Sequence, residues 1–227
     1  MEGLGRIVRY RRRHEQGAEE SLMRDIIVIT MPEIFHGETD IVNTLFDNGM
    51  RRLHLRKPGV SAEYLAEWTE RIYPQYRNRI VVHDHHTLLR TMGLGGIHLN
   101  ARNPSAPEWF GEEKERRGCV TLSRSCHTLE EVDRWSPVCD YVFLSPIFDS
   151  ISKRGYTAGF TRETLCRAHS DGLFHKPTYA LGGVSAENIQ LVSDLGFAGA
   201  AVLGSLWQAV PFTTDNIVSR LRELQGI

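Results

Sequence analysis

The sequence predicts an α/β protein folded as a single (β/α)₈ TIM barrel. Three observations point there. Short apolar runs alternate with amphipathic stretches eight times from Arg24 onward, as expected of repeated βα units. The chain has 227 residues, slightly fewer than the ~250 typical of such barrels. The last two apolar runs, Thr178–Leu181 and Ala200–Leu203, each end in glycine, at Gly182-Gly183 and at Gly204-Ser205. Loops after strands seven and eight of a barrel commonly hold phosphate. Small residues there let backbone N–H groups close on an anion, and the following helix N-termini add positive dipole. Glycines also serve simply to turn a strand tightly into a helix. Two pairs one repeat apart favour the anion, so a small phosphorylated ligand is expected.

Taken in order, Ile26–Thr30 is the first predicted strand and Thr39–Asn48 its helix, stopped by Gly49. Arg52–Arg56 is the second, and Ser61 caps a helix whose Tyr64, Leu65, Trp68 and Ile72 share one face. Ile80–His83 is the third, followed by a short helix over His86–Met92 that Gly93 ends. Gly96–Leu99 is the fourth; Pro107–Arg117 after it is polar and poorly periodic, which predicts a degenerate helix. Val120–Ser123 is the fifth, and Thr128 with Glu131 makes a capping box for a helix through Trp135. Tyr141–Ser145 is the sixth, with the longest loop, Pro146–Phe160, before a helix over Thr161–His169. Ser185 is positioned to cap the helix between strands seven and eight, which runs through Leu191 and Val192, and Thr214–Leu224 closes the barrel. No linker or change of composition divides residues 24–227, which read as one catalytic domain.

Residues 1–23 stand apart. Arg9, Arg11, Arg12 and Arg13 form a basic cluster, followed by Glu15, Glu19 and Glu20, without the apolar centre of a secretory signal. This stretch reads as a disordered extension. A formal net charge of −1 and the lack of a basic stripe exclude a nucleic-acid surface, and no apolar run reaches the ~20 residues of a membrane span. The four cysteines (Cys119, Cys126, Cys139 and Cys166) show no CxxC pair or metal-ligand spacing, consistent with reduced thiols in the cytoplasm. A homo-oligomer is compatible with the sequence, which does not specify one.

Barrels carry their chemistry at the C-terminal ends of the strands. Those ends hold His54 and Arg56, then His83 and Asp84, then His98, Asn100 and Asn103. Ser123 and Ser125 follow, then Ser150, Ser152 and Lys153, then the two glycine turns. Together they describe a ring of hydrogen-bonding groups around a small anion.

Here the residues match a known family. LHLRKP at Leu53–Pro58, VHDHH at Val82–His86 and GIHLN at Gly96–Asn100 resemble signatures of the thiamine phosphate synthase/TenI superfamily. So do SRSCHTLEE at Ser123–Glu131, DYVFLSPIFDSISK at Asp140–Lys153, and ALGGVSAENI with AAVLGS. The likeness runs from about Ile26 to the end, in order and spacing. It implies an enzyme that joins hydroxymethylpyrimidine diphosphate to thiazole phosphate and releases pyrophosphate, with Mg²⁺ on the diphosphate. It further implies that Arg56 and Lys153 clamp the pyrophosphate, that Asp84 holds Mg²⁺ with Asn103 at the second metal position, and that Ser125 touches the pyrophosphate or pyrimidine. Ser150 and Ser152 replace threonines near the thiazole, and Gly182, Gly183, Leu203 and Gly204 seat its phosphate.

The departures from the pattern are specific. His54 stands where the synthase has glutamine, His83 where it has asparagine, and Asn103 where it has the second metal aspartate. Pro58 replaces a second basic residue, with Lys57 one position early and facing the other way. A neutral amide is a poor Mg²⁺ ligand. This erosion of the diphosphate half raises an alternative, a TenI-type tautomerase that shifts a proton on carboxythiazole phosphate without metal. His54, His83 and His127 are its acid/base candidates; the loop histidine of well-known tautomerases falls on Pro146. A third alternative is an inactive ligand-binding barrel. Retention of Arg56, Asp84, Ser125 and Lys153 puts the synthase first.

Overall fold

Eight parallel strands close on themselves in sequence order, with β1 (Ile26–Ile29) hydrogen-bonded both to β2 (Arg52–Leu55) and to β8 (Gly199–Val202). Between them run β3 (Ile80–Val82), β4 (Gly96–Leu99), β5 (Thr121–Cys126), β6 (Tyr141–Leu144) and β7 (Thr178–Leu181). The architecture comes from a computed structural model that describes residues 24–149 and 159–227. The expected extension over residues 1–23, and Ser150, Ser152 and Lys153 in the loop after β6, lie outside the described residues.

Closure decides which side chains point where, because successive residues of a strand face opposite ways. Ile26, Val28, Leu53, Leu55, Ile80 and Val82 point outward and are buried beneath the helices. Ile27, Ile29, Tyr141, Phe143, Tyr179 and Ala201 point inward and form a separate apolar cluster inside the ring. Each fully buried aliphatic side chain contributes about 1.5–3 kcal/mol.

The helices are α1 (Glu38–Asp47), α2 (Ala62–Glu70), α3 (Leu88–Thr91), α4 (Phe110–Arg117) and α5 (Leu129–Trp135). They continue as α6 (Arg162–Ser170), α7 (Ile189–Asp194), α8 (Gly204–Trp207) and α9 (Thr214–Gln225). A 3₁₀ turn spans Pro74–Arg79 before β3. Two predicted caps are present, the hydroxyls of Ser61 and Thr128 accepting from the backbone N–H of Tyr64 and Glu131; Thr161, expected as the first helical residue, is instead the cap of α6 and accepts from Thr164. In the capping box, Glu131 Oε2 accepts from the N–H of His127 rather than of Thr128.

Several expectations need correction. Tyr64 is exposed, and only Leu65, Trp68 and Ile72 of the proposed α2 face are buried. The polar stretch before β5 contains a regular helix, α4. Its buried Glu113 gathers Arg90, Arg116 and Arg117, and Gly118 ends it at φ 68°. Charge pairs at i, i+3 and i, i+4 thus supply what apolar periodicity lacked. The helix over His86–Met92 shrinks to Leu88–Thr91, and β5 extends to Cys126. α7 begins at Ile189, and its preceding turn is held by Asn188, which accepts from Ser185 N and donates to Gly183 O.

Lys57 leaves the barrel mouth as its position implied. Fully buried, it donates to Glu38 Oε1 at 2.7 Å and to the Glu33 carbonyl at 2.6 Å, while Trp68 Nε1 donates to Glu38 Oε2 at 3.1 Å. Removing one member of such a buried ion pair strands the other. Lys57→Ala is therefore expected to lose about 3–5 kcal/mol of stability, measured by urea unfolding, and a Lys57→Met/Glu38→Gln double variant clearly less.

Candidate active site

The C-terminal ends of the strands surround one cavity of about 450 Å³. Its wall includes Ile29 from β1, Arg56 after β2, His83 after β3, Asn100 and Arg102 after β4, and Ser125 from β5. Phe143, Leu181 and Leu203 complete it from β6, β7 and the end of β8. One side is polar and basic; the side over β7 and β8 is apolar up to the glycine turns.

Arg56 is fixed through its backbone. Its N–H donates to Thr30 Oγ1 at 2.9 Å, and that hydroxyl donates to the Arg56 carbonyl at 3.1 Å. Burial lowers the Arg56 pKa, the neighbouring Arg102 charge lowers it further, and Asp84 and Glu33 oppose the shift. Two guanidinium groups therefore share one region of the mouth. Arg124 joins the wall with its guanidinium 4.0 Å from the centre of the Trp135 ring, donating to the Pro104 carbonyl, with Nε buried and unpartnered.

The predicted metal pair is arranged against a metal. Asp84 accepts from Arg102 at both oxygens, from Nε at 3.2 Å and from Nη2 at 3.0 Å. Asn103 Nδ2 lies 2.9 Å from Asp84 Oδ1 and 2.9 Å from the His83 carbonyl. Both neighbours are acceptors, which identifies that atom as the amide NH₂ and turns the Asn103 oxygen elsewhere. A Mg²⁺ ion needs oxygen donors, usually one or two carboxylates beside substrate phosphates. Here one carboxylate is already neutralised and its neighbour offers hydrogens. The residues do not fit the ion.

Beneath the mouth lies a column of histidines. His54 is fully buried, with Nδ1 2.9 Å from His83 Nε2 and Nε2 2.7 Å from the Tyr141 hydroxyl. His98, also fully buried, places Nδ1 2.9 Å from Ser123 Oγ and Nε2 2.8 Å from Ser125 Oγ. The rings of His83 and His98 stack at 4.2 Å. Ligand atoms of these three histidines lie within 4.8 Å of one another, but five of their six ring nitrogens already face side-chain partners. The cluster reads as a hydrogen-bonded filling of the barrel.

Thus the structure brings Arg56, His83, Ser125 and Leu203 into the cavity wall, with Asp84 and Asn103 behind Arg102. His54 is fully buried and outside the cavity wall, its ring held between His83 and Tyr141, so the role of direct acid or base expected for it does not match its position. His127 does reach the wall, its Nδ1 3.1 Å from the Ser145 carbonyl. Gly182 and Gly183 have φ of 91° and 67° at the β7 end, and Gly204 opens α8 beside them after β8. A side chain on Gly183 would collide with the carbonyls of Phe148 and Asp149, so the loop after β6 also requires this glycine. Arg102 and Arg124 were missed by sequence reasoning. The available signal was a basic residue next to Asn103, at a turn expected to be acidic.

A family model described as thiamine monophosphate synthase (TMP-TENI) matches residues 26–206. The thiamine-phosphate synthase of Latilactobacillus sakei is 30% identical over 136 residues, 59% of this chain and 58%, under two thirds, of its own length. That of Cronobacter sakazakii is 28% identical over 190 residues, 82% of this chain and 88% of its own. The crystal structure of a thiamine phosphate pyrophosphorylase from Bacteroides thetaiotaomicron superposes with a TM-score of 0.75 at 35% identity, covering 88% of this chain and 95% of that one. A pyrophosphorylase from Pyrococcus furiosus, at 18% identity and TM-score 0.69, shares the fold.

The histidine column generates a pH dependence. Burial lowers the pKa of His54 well below 6.5 and that of His98 to about 3, with nearby positive charge adding to both shifts. The unfolded chain therefore binds protons below about pH 6.5 that the folded chain refuses. Stability is complete above that pH and falls on acidification, by up to about 1.4 kcal/mol per pH unit for each such histidine. Urea midpoints measured between pH 7.5 and 5 should fall, and His98→Asn should make the fall shallower. An unchanged slope in the variant would mean that His98 is not held neutral.

Proposed function

The chain belongs to the thiamine monophosphate synthase (TMP-TENI) family, and on that premise we propose that it joins hydroxymethylpyrimidine diphosphate to thiazole phosphate. The thiazole nitrogen forms a bond to the pyrimidine methylene carbon as the carbon–oxygen bond to the diphosphate breaks, giving thiamine phosphate and pyrophosphate. The single observation that carries this reading is the polarity of the cavity. Guanidinium groups converge on one side, and the apolar side chains of Phe143, Leu181 and Leu203 lead to the glycine turns on the other. A diphosphate belongs at the first, and aromatic rings with a terminal phosphate along the second.

In this reading Arg56 binds the diphosphate, and Lys153, outside the described residues, is assigned to the same group by the family resemblance. Charge accumulates on the bridging oxygen as the bond to carbon breaks, so fixed N–H donors stabilise the transition state more than the ground state. Ser125, oriented by His98, contributes a hydroxyl at the same side. Gly182, Gly183, Leu203 and Gly204 receive the thiazole phosphate through backbone N–H groups, placing the ring nitrogen towards the reacting carbon. Ser150 and Ser152 are proposed beside the thiazole. Mg²⁺ is the cofactor that the family resemblance implies; the pairing of Asp84 with Arg102 does not suit it, and no step here runs through it. The free thiols of all four cysteines agree with a cytoplasmic enzyme. No helix among the described residues is long and apolar enough to cross a membrane.

The alternative proton shift on carboxythiazole phosphate draws on one observation, the neutral His83 in the cavity wall, whose pKa burial lowers well below the ordinary value. With both phosphorylated substrates and Mg²⁺ supplied, the protein should release pyrophosphate, followed by a coupled phosphatase assay. Arg56→Ala should lower kcat/KM about 100-fold. Isomerisation of carboxythiazole phosphate without any pyrophosphate release would replace the synthase reading with the tautomerase one.

A further inference from the structure

Resting on the reading that this mouth receives a diphosphate, we propose that Arg102, held in place by Asp84, is the resident cation of the diphosphate site, so that pyrophosphate is bound there without a divalent metal ion. The geometry is that of an anchored guanidinium. Arg102 offers five N–H donors in a planar fork, and Asp84 takes one from Nε and one from Nη2. The remaining three are uncommitted to Asp84. Arg102 is half exposed and stands in the cavity wall, so they have access to a ligand.

The turn that carries Arg102 is built to hold it. Asn100 Oδ1 accepts from the backbone N–H of Arg102 at 2.9 Å and of Asn103 at 3.1 Å. Asn103 then donates to Asp84, which completes the support of the carboxylate. Each oxygen of Asp84 thus faces a nitrogen donor. A metal ion on either oxygen would lie against the Arg102 guanidinium and near a second cation, Arg56. The carboxylate that does line the wall, Glu131, accepts from the backbone N–H of His127 at 2.6 Å, serving the start of α5.

Charge supports the same assignment. Asp84 and Arg102 cancel, and Glu131 offsets one of the two remaining guanidinium groups, Arg56 and Arg124, so the described wall keeps a net positive charge, to which a polyanion is the natural counterpart. Burial first, and the Arg102 charge second, lowers the pKa of Arg56, and an anion lying between the two guanidinium groups relieves their repulsion. Asp84 is a positioning residue in this scheme, since it acts on the ligand through Arg102.

The test is calorimetric titration of inorganic pyrophosphate into the full chain, in EDTA and in excess Mg²⁺. Binding is expected in EDTA, within about threefold of that in Mg²⁺, and Arg102→Ala should weaken it in EDTA about 10–100-fold. Asp84→Asn should weaken it less, because the fork remains but loses its anchor. Far-UV circular dichroism and thermal unfolding of the variants separate loss of binding from loss of fold. Binding that appears only with Mg²⁺, or Arg102→Ala binding in EDTA as tightly as the wild type, would overturn the proposal. Turnover of the two substrates in Mg²⁺ alongside such a result would leave the synthase reading standing. Pyrophosphate bound through Arg102 in EDTA, with no turnover in either buffer, would instead sink the synthase reading and keep the Arg102 site.

Discussion

Closure of the sheet between β1 and β8 is the constraint from which the rest follows. Pairing of Ile26 with Ala200 and of Val28 with Val202 leaves no free edge and fixes the alternation of every strand. Once the ring is closed, His54, His98 and Ser123 must point inward, where barrels usually pack branched aliphatic residues. A buried polar group without a partner costs about 1–3 kcal/mol, so an interior of this kind is tolerable only if its members satisfy one another. They do so across strands: His54 to His83 and Tyr141, and His98 to Ser123 and Ser125. The column that fills the barrel also supports the floor of the cavity, because His83 and Ser125 belong to both.

Much of this was legible in the sequence because it depends on short-range chemistry. Apolar runs of four or so residues between turns give parallel strands, and Ser61 and Thr128 act as caps that need only their own next turn. α4 was read as degenerate because its apolar periodicity is missing; its ion pairs with Glu113 come from both its own last turn and Arg90 of α3. Tyr64 lies on the rim of α2, where a helical wheel separates faces less sharply than packing does. His54, Arg56 and His83 were identified as strand-end residues, but sequence alone does not give their depth. One alternation along β2 puts His54 in the filling and Arg56 in the mouth. Arg102 and Arg124 acquire meaning only through partners 18 and 20 residues away, Asp84 and Pro104.

The substitution at the β4 turn illustrates how a site keeps its electrostatic balance while changing its parts. The superfamily pattern expects acidic groups here, around an added cation. This chain has one acid, one amide and one built-in cation, and the local sum is zero in Asp84 and Arg102 alone. A guanidinium lacks the compact double charge of a metal ion, yet its planar donors match phosphate oxygens in pairs and need no dehydration of a tightly held water shell. What is lost in field strength is offset by fixed position, since the carboxylate and the Asn100 turn hold Arg102 before any ligand arrives.

The buried histidines and the arginines of the mouth then divide the work of charge. Burial keeps His54, His83 and His98 uncharged, and the arginine field at the mouth pushes His83 and His98 further in the same direction. Neutral rings can accept and donate hydrogen bonds within a tight column, whereas three imidazolium ions in that volume would repel one another and set His54 Nδ1 and His83 Nε2 donor against donor. The positive charge that a polyanion requires therefore comes from groups that stay protonated across the whole range in which the protein is folded. Had the histidines carried it, ligand affinity and fold stability would titrate together near neutral pH. Assigning charge to Arg56, Arg102 and Arg124, and packing to the imidazoles, separates the two.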